Sequence, residues 1–162
     1  MGTQVESVHT VAYMVGALAS ACEKNLGKGS HSICSLAGKR FGREAAKGCG
    51  QTTDHLEAIN ILRDALKQRG IVWEFEPFAG EHETAVTTEN GKKRIRLVFR
   101  TCMVRNALFR YAHEQKESLC FMAHGVFAGA LEEILAGTKA ELEIIHAGPN
   151  ACLKELVLEE VS

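Results

Sequence analysis

The sequence predicts an α+β fold in which helices lead into an antiparallel sheet. Three observations carry this. Apolar residues recur at helical spacing through residues 1–70, strand-like alternation sets in at Ile71, and the strands come mostly as hairpins instead of alternating singly with helices. The expected order is three N-terminal helices, an antiparallel β-meander, two helices and a C-terminal β-hairpin.

Each element has its own signal. Val5, Val8, Val11, Val15, Leu18 and Cys22 define the first helix, which Asn25-Leu26-Gly27 closes. Ile33, Leu36, Phe41 and Ala45 define the second, with Gly38 and Gly42 on one face. Those glycines, with Gly125 and Gly129 later, either let helices pack closely or leave room for a ligand. Asp54 followed by Glu57 marks the start of the third helix, whose stripe runs through Leu56, Ile59, Leu62 and Leu66 to Gly70. Ile71 to Glu76 alternates as a strand. Thr84 to Glu89 and Lys93 to Thr101 flank Asn90-Gly91, a strong hairpin signal. Helical spacing returns through Val104, Leu108 and Tyr111, then through Leu119, Met122, Val126, Ala130 and Ile134. Ala140 to Ala147 and Ala151 to Glu159 form the last hairpin around Gly148-Pro149-Asn150.

The 162 residues suit a single domain over 1–162, with a helical part at 1–70 and a sheet part at 71–162. Acids and bases nearly cancel, to a formal charge of −1, so neither nucleic acid nor an anionic membrane is the expected partner. The basic run Gly91-Lys92-Lys93-Arg94 falls on a hairpin tip and is expected to be solvated. Val11 to Ala21, the most apolar stretch, is too short to span a bilayer, and no basic-then-apolar leader opens the chain. A cytoplasmic location is expected. The first helix carries Val11, Tyr13, Met14 and Val15 on more than one face, so a homodimer is expected to cover it.

Candidate chemistry gathers at element ends. Cys102 ends the third strand, Cys120 begins a helix, and His124 shares that helix face four residues on. His146 closes the fourth strand and Cys152 opens the fifth. Three thiolates and an imidazole suit a closed tetrahedral zinc site, and sulfur ligands also suit an iron–sulfur cluster. Strict alternation places Leu142, Ile144 and His146 on one face, with Glu143 on the other. The plain alternative is that these cysteines are inert core residues. Cys22, Cys34 and Cys49 read as packing residues, although Cys34, following Gly29-Ser30-His31, could line a pocket. No dinucleotide fingerprint, nucleophile elbow or P-loop is present.

The run from Cys120 to Ile134, then Gly137, Glu143, His146, Gly148, Cys152 and Leu153, resembles the signature of the 4-vinyl-reductase domain family. Members sense small hydrophobic molecules in bacterial regulators or accompany tetrapyrrole synthesis. The positions matching Cys120, Glu143, His146 and Cys152 bind zinc in the regulator branch. Here His146 stands in place of a cysteine and the gap to Cys152 is shorter. Cys102 ahead of Cys120 is similar to a second set of relatives, cluster-binding regulators and thiazoline-carboxylate hydrolase-like proteins. The resemblance implies a binding protein with zinc at Cys102, Cys120, His146 and Cys152. A small hydrophobic ligand and a regulatory or tetrapyrrole-related role would go with it. Alternatives are an enzyme (a vinyl reductase or a thiazoline-type hydrolase) and an iron–sulfur redox sensor. His124 and Glu143 are the reserve ligands.

Overall fold

The computed structural model describes residues 4–80, 84–102, 104–105 and 115–161. Helices α1 (Gln4–Leu26), α2 (Gly29–Ala46) and α3 (His55–Gln68) come first, followed by strands β1 (Trp73–Pro77), β2 (Val86–Glu89) and β3 (Lys92–Cys102). Helix α4 (Ser118–Ile134) and the hairpin β4 (Thr138–Ala147) and β5 (Cys152–Glu160) complete the chain. The α+β class with an antiparallel sheet is as the sequence predicts. The helix expected through Val104, Leu108 and Tyr111 falls mostly outside the described residues, and only Val104 and Arg105 are seen, in helical conformation.

Local signals act as their chemistry requires. The Asp54 carboxylate accepts the Glu57 backbone N–H at 2.7 Å, which caps α3. Asn90 and Gly91 both adopt positive φ, at 53° and 76°, as a tight hairpin between β2 and β3 needs. The sheet order is β1-β3-β5-β4, and β2 also pairs with β3. Since β5 occupies one edge of β3, β1 (opposite Leu97–Cys102) and β2 (opposite Lys92–Ile95) share the other. They are two pieces of one edge, so β2 does not lie between β1 and β3.

Helix α4 lies between the sheet and α2 and is buried along most of its length. Its packing on α2 is dictated by four glycines. A Cβ at Gly38, Gly42, Gly125 or Gly129 would sit 2.0, 2.0, 2.1 or 2.1 Å from a backbone oxygen of the facing helix. These glycines serve close packing and hold no space for a ligand. On its other side α4 sends Phe127, Leu131 and Ile134 into a core shared with Ile59, Leu62 and Leu66 of α3 and Ile95, Leu97 and Phe99 of β3. Helix α1 is different: Ala19 is buried, while Val11, Met14, Val15 and Leu18 are exposed. No helix among the described residues is long and apolar enough to cross a membrane.

Candidate functional site

The register of the central strands decides what faces α4. Phe99 pairs with Cys152, Leu97 with Lys154 and Ile95 with Leu156, so Cys152 and Lys154 point into the covered face with Leu156. Lys154 is only 3% exposed in an otherwise apolar layer. Its Nζ lies 4.6 Å from the Phe99 ring centroid and 5.8 Å from that of Trp73. Among the described residues no carboxylate pairs with it. Burial lowers its pKa, the nearby Arg105 acts in the same direction, and the thiols of Cys102, Cys120 and Cys152 are close enough to act in the opposite one.

Cys102, Cys120 and Cys152 lie near enough to Lys154, and Cys102 and Cys152 near enough to Cys120, to act on each other electrostatically. Burial raises the pKa of the Cys120 thiol, with Cys102 and Cys152 near enough to add to the effect. His124, one turn along α4 from Cys120, is 6% exposed. Burial first and Lys154 second push its pKa down to about 2, so the imidazole is neutral at any physiological pH.

His146 does not join them. The β4–β5 register shifts between Ile144 and His146, so Ile144 faces Lys154 while His146 pairs with Leu153. One extra residue, Ile145, turns His146 to the opposite face, where it is exposed. The expectation that Leu142, Ile144 and His146 share a face is overturned, and Cys102, Cys120, His146 and Cys152 do not form one tetrahedral site. Glu143, paired with Glu155, also lies on the outer face. Among the described residues no group of three or more His, Cys, Asp or Glu is arranged to hold a metal ion.

What the cluster does hold is unpartnered polar atoms. Trp73 Nε1, Arg105 Nη1 and His124 Nε2 are buried without a hydrogen-bond partner among the described residues. They come from β1, from the segment after β3 and from α4. Lys154 links them, since its amine lies over Trp73 and acts on His124, while Arg105 acts on it. Residue types alone would not have picked out Trp73 or Arg105. Lys154 was missed as well, although alternation through Cys152, Lys154, Leu156 and Leu158 is the signal that puts it inward.

Above His124 a groove of about 490 Å³ opens between α2, α4 and β4, lined among others by Ser35, Lys39, Phe121, His124 and Leu142. The His31 ring stacks on Phe121 at 4.2 Å and 11°, and His31 Nε2 lies 3.0 Å from Glu117 Oε2. A second polar contact fastens the start of α4. Glu23 of α1 accepts the Ser118 backbone N–H at 3.0 Å and the Ser118 hydroxyl. Cys34 sits beside this contact, near Ser118, Cys22 and Glu23, and burial raises its pKa. It lies at the α1–α4 junction and does not line the groove.

No family model matches the chain, and no curated protein matches it by sequence. Solved structures do match in fold. The phenol-responsive sensory domain of the transcription activator PoxR, solved with phenol, superposes with a TM-score of 0.63 at 14% identity, covering 91% of this chain and 74% of that one. Subunit 3 of a trafficking protein particle complex from Naegleria fowleri, covalently bound to palmitic acid, superposes with a TM-score of 0.54 at 14% identity, covering 98% of both chains. At this identity the likeness establishes a shared fold.

Proposed function

We propose that the chain is a small-molecule-binding domain of 4-vinyl-reductase type with a regulatory role. Its ligand would be compact and mostly apolar, with one hydrogen-bond acceptor. The observation that carries this reading is the set of unpartnered atoms around Lys154. Each buried polar atom left without a partner costs about 1–3 kcal/mol; Trp73 Nε1 lies beside Phe99 and Phe127, and Arg105 Nη1 and His124 Nε2 are unpartnered too among the described residues. A hydroxyl or carbonyl oxygen would satisfy the Trp73 and Arg105 donors, and an apolar body would have to part the Phe99, Phe127 and Trp73 rings, which pack on one another at 5.5–6.0 Å. The fold likeness to a domain solved with phenol supports the same class of ligand. The six cysteines are free, which suits a reducing, cytoplasmic setting. The exposed apolar stripe of α1 suits a homodimer. A thermal-shift panel of phenols, small alcohols and ketones tests the reading. Phenols should raise the Tm of the wild type, and Trp73→Phe should reduce the rise. A panel in which no acceptor-bearing apolar molecule shifts the Tm would end it.

Zinc is a second reading, supported by Cys102 and Cys152 lying near enough to Cys120 to act on it electrostatically. It requires the Lys154 ammonium, on which the three thiols act, to move aside. On this reading purified protein carries zinc that Cys152→Ser loses. Metal-free wild type would leave the thiols as core residues, and visible absorbance would favour a cluster or a tetrapyrrole instead.

A further inference from the structure

We infer that the groove between α2, α4 and β4 takes a planar molecule bearing an amide-like edge, a hydrogen-bond donor beside an acceptor. The inference rests on the small-molecule reading but names a second place for such a ligand, since the groove shares only His124 with the residues around Lys154.

One wall of the groove is the open edge of the sheet. Strand β4 is terminal in the order β1-β3-β5-β4. The Ala140 N–H donates to Glu132 Oε1 at 3.2 Å, and the Ala140 carbonyl accepts from Lys39 Nζ at 3.4 Å. Both peptide groups of Ala140 thus point away from β5. In an antiparallel ladder the outward direction recurs every second residue. Ala140 pairs with Leu158 and Leu142 with Leu156, so the N–H and C=O of Leu142 also point outward. No partner for either is found among the described residues. Residues 140, 141, 142 and 143 all line the groove, which a strand does only when it presents its edge.

The other walls suit a flat ring. Phe121, stacked on His31, supplies an aromatic surface. Ser35 and Ala128 are small, and His124, more than nine-tenths buried, lines the groove while its Nε2 has no partner. The N–H and C=O of one extended residue lie side by side and point the same way. Their complement is an acceptor next to a donor, as in a carboxamide, a lactam or the edge of a nucleobase. A polypeptide strand would make the same bonds, but it would have to continue past Ala140. There Lys39 and Glu132, paired at 2.7 Å, already hold both peptide groups. The site therefore fits a small molecule and stops an added strand.

The test is a titration of the isotope-labelled full chain, followed by amide NMR, with benzamide, benzoate, phenol and a short β-forming peptide as separate probes. Benzamide should shift the Leu142 amide saturably, with benzoate and phenol at least about tenfold weaker there, since neither offers the donor–acceptor pair. Ser35→Phe, which fills the groove, should abolish the benzamide shift while the Tm stays near wild type. If Ser35→Phe unfolds, Lys39→Met serves as a second variant, because freeing the Ala140 carbonyl should let the peptide compete. Benzamide that leaves Leu142 unmoved overturns the inference. Phenol binding without benzamide binding also overturns it, while the broader small-molecule reading stands. A peptide that binds wild type where benzamide fails would make the groove a strand-adding edge and overturn the inference as well.

Discussion

The Lys154 amine lies 4.6 Å from the centroid of the Phe99 ring, inside the layer that α4 covers. Three thiols, an imidazole and a guanidinium lie within electrostatic reach of it, and no carboxylate pairs with it among the described residues. Cation–π attraction is worth about 2 kcal/mol when desolvated, less than burying an unpaired ammonium costs. A buried charged group without a full partner set is destabilising, and an apolar residue of similar shape removes that cost. Lys154→Met should therefore raise the unfolding free energy by about 1–3 kcal/mol, read from the urea midpoint. It should also weaken whatever ligand the orphaned donors bind, the usual conflict between stability and a functional site. A less stable Lys154→Met would mean that a thiolate balances the amine in the native state.

Acid should weaken the fold through His124. Its pKa is about 2 in the native chain against an ordinary 6.5, so below pH 6.5 the unfolded chain binds a proton that the native chain refuses. Protonation then favours the unfolded state, and stability falls as pH drops from 6.5 toward 2. Each pH unit below 6.5 costs on the order of 1 kcal/mol. The lowered pKa of Lys154 acts with the same sign, beginning from its ordinary 10.5. Urea midpoints measured from pH 7 down to pH 5 should fall steadily in wild type and less steeply in His124→Gln. Equal slopes would show that His124 is not the group responsible.

The glycine contact between α2 and α4 should tolerate no side chain. A Cβ on Gly42 would sit 2.0 Å from the Val126 carbonyl oxygen, and both are backbone atoms of packed helices. Nothing flexible can move aside, so the helices must part. Gly42→Ala should destabilise by about 3 kcal/mol or more, while Gly16→Ala, with open space around it, should be neutral or mildly stabilising. Thermal unfolding of the two variants separates the effect of contact from that of helix propensity.

Much of this architecture was legible because it follows periodicity. The stripe from Leu56 to Leu66, the Asp54 cap and the Asn90-Gly91 turn are local signals, and the structure uses each of them. That Cys102 and Cys152 fall at the same end of the antiparallel sheet was legible too, since one closes β3 and the other opens β5. The position of His146 was not. A one-residue bulge at Ile145 reverses which face every later side chain takes, and neither Ile144 nor Ile145 differs in type from an ordinary strand residue. Glu23, which satisfies the start of α4, was invisible for another reason: it lies 95 residues from Ser118, and only the packing of α1 brings it there.

The last prediction concerns α1. Ala12, Gly16, Ala19 and Glu23 form the face it turns toward the rest of the chain, and only Ala19 among them is fully buried. A second stripe, Val11, Met14, Val15 and Leu18, follows the i, i+3, i+4, i+7 rule and is 59%, 68%, 44% and 67% exposed. On α2, Ile33, Leu36 and Phe41 are exposed as well. Isolated apolar residues on a surface are ordinary, but a regular stripe of four on one helix is the pattern that a self-association prediction can be tested on. A two-fold dimer would lay the stripe against its own copy, and a stable interface of this kind buries roughly 1,600 Å² in total. Sedimentation velocity at micromolar concentration should report a dimer for the wild type. Leu18→Glu places a carboxylate at the centre of the stripe, and against its symmetry mate the two charges would repel across a desolvated contact. That variant should sediment as a folded monomer with unchanged near-ultraviolet dichroism. A wild type that is monomeric at these concentrations would remove the dimer and leave the stripe without its occupant.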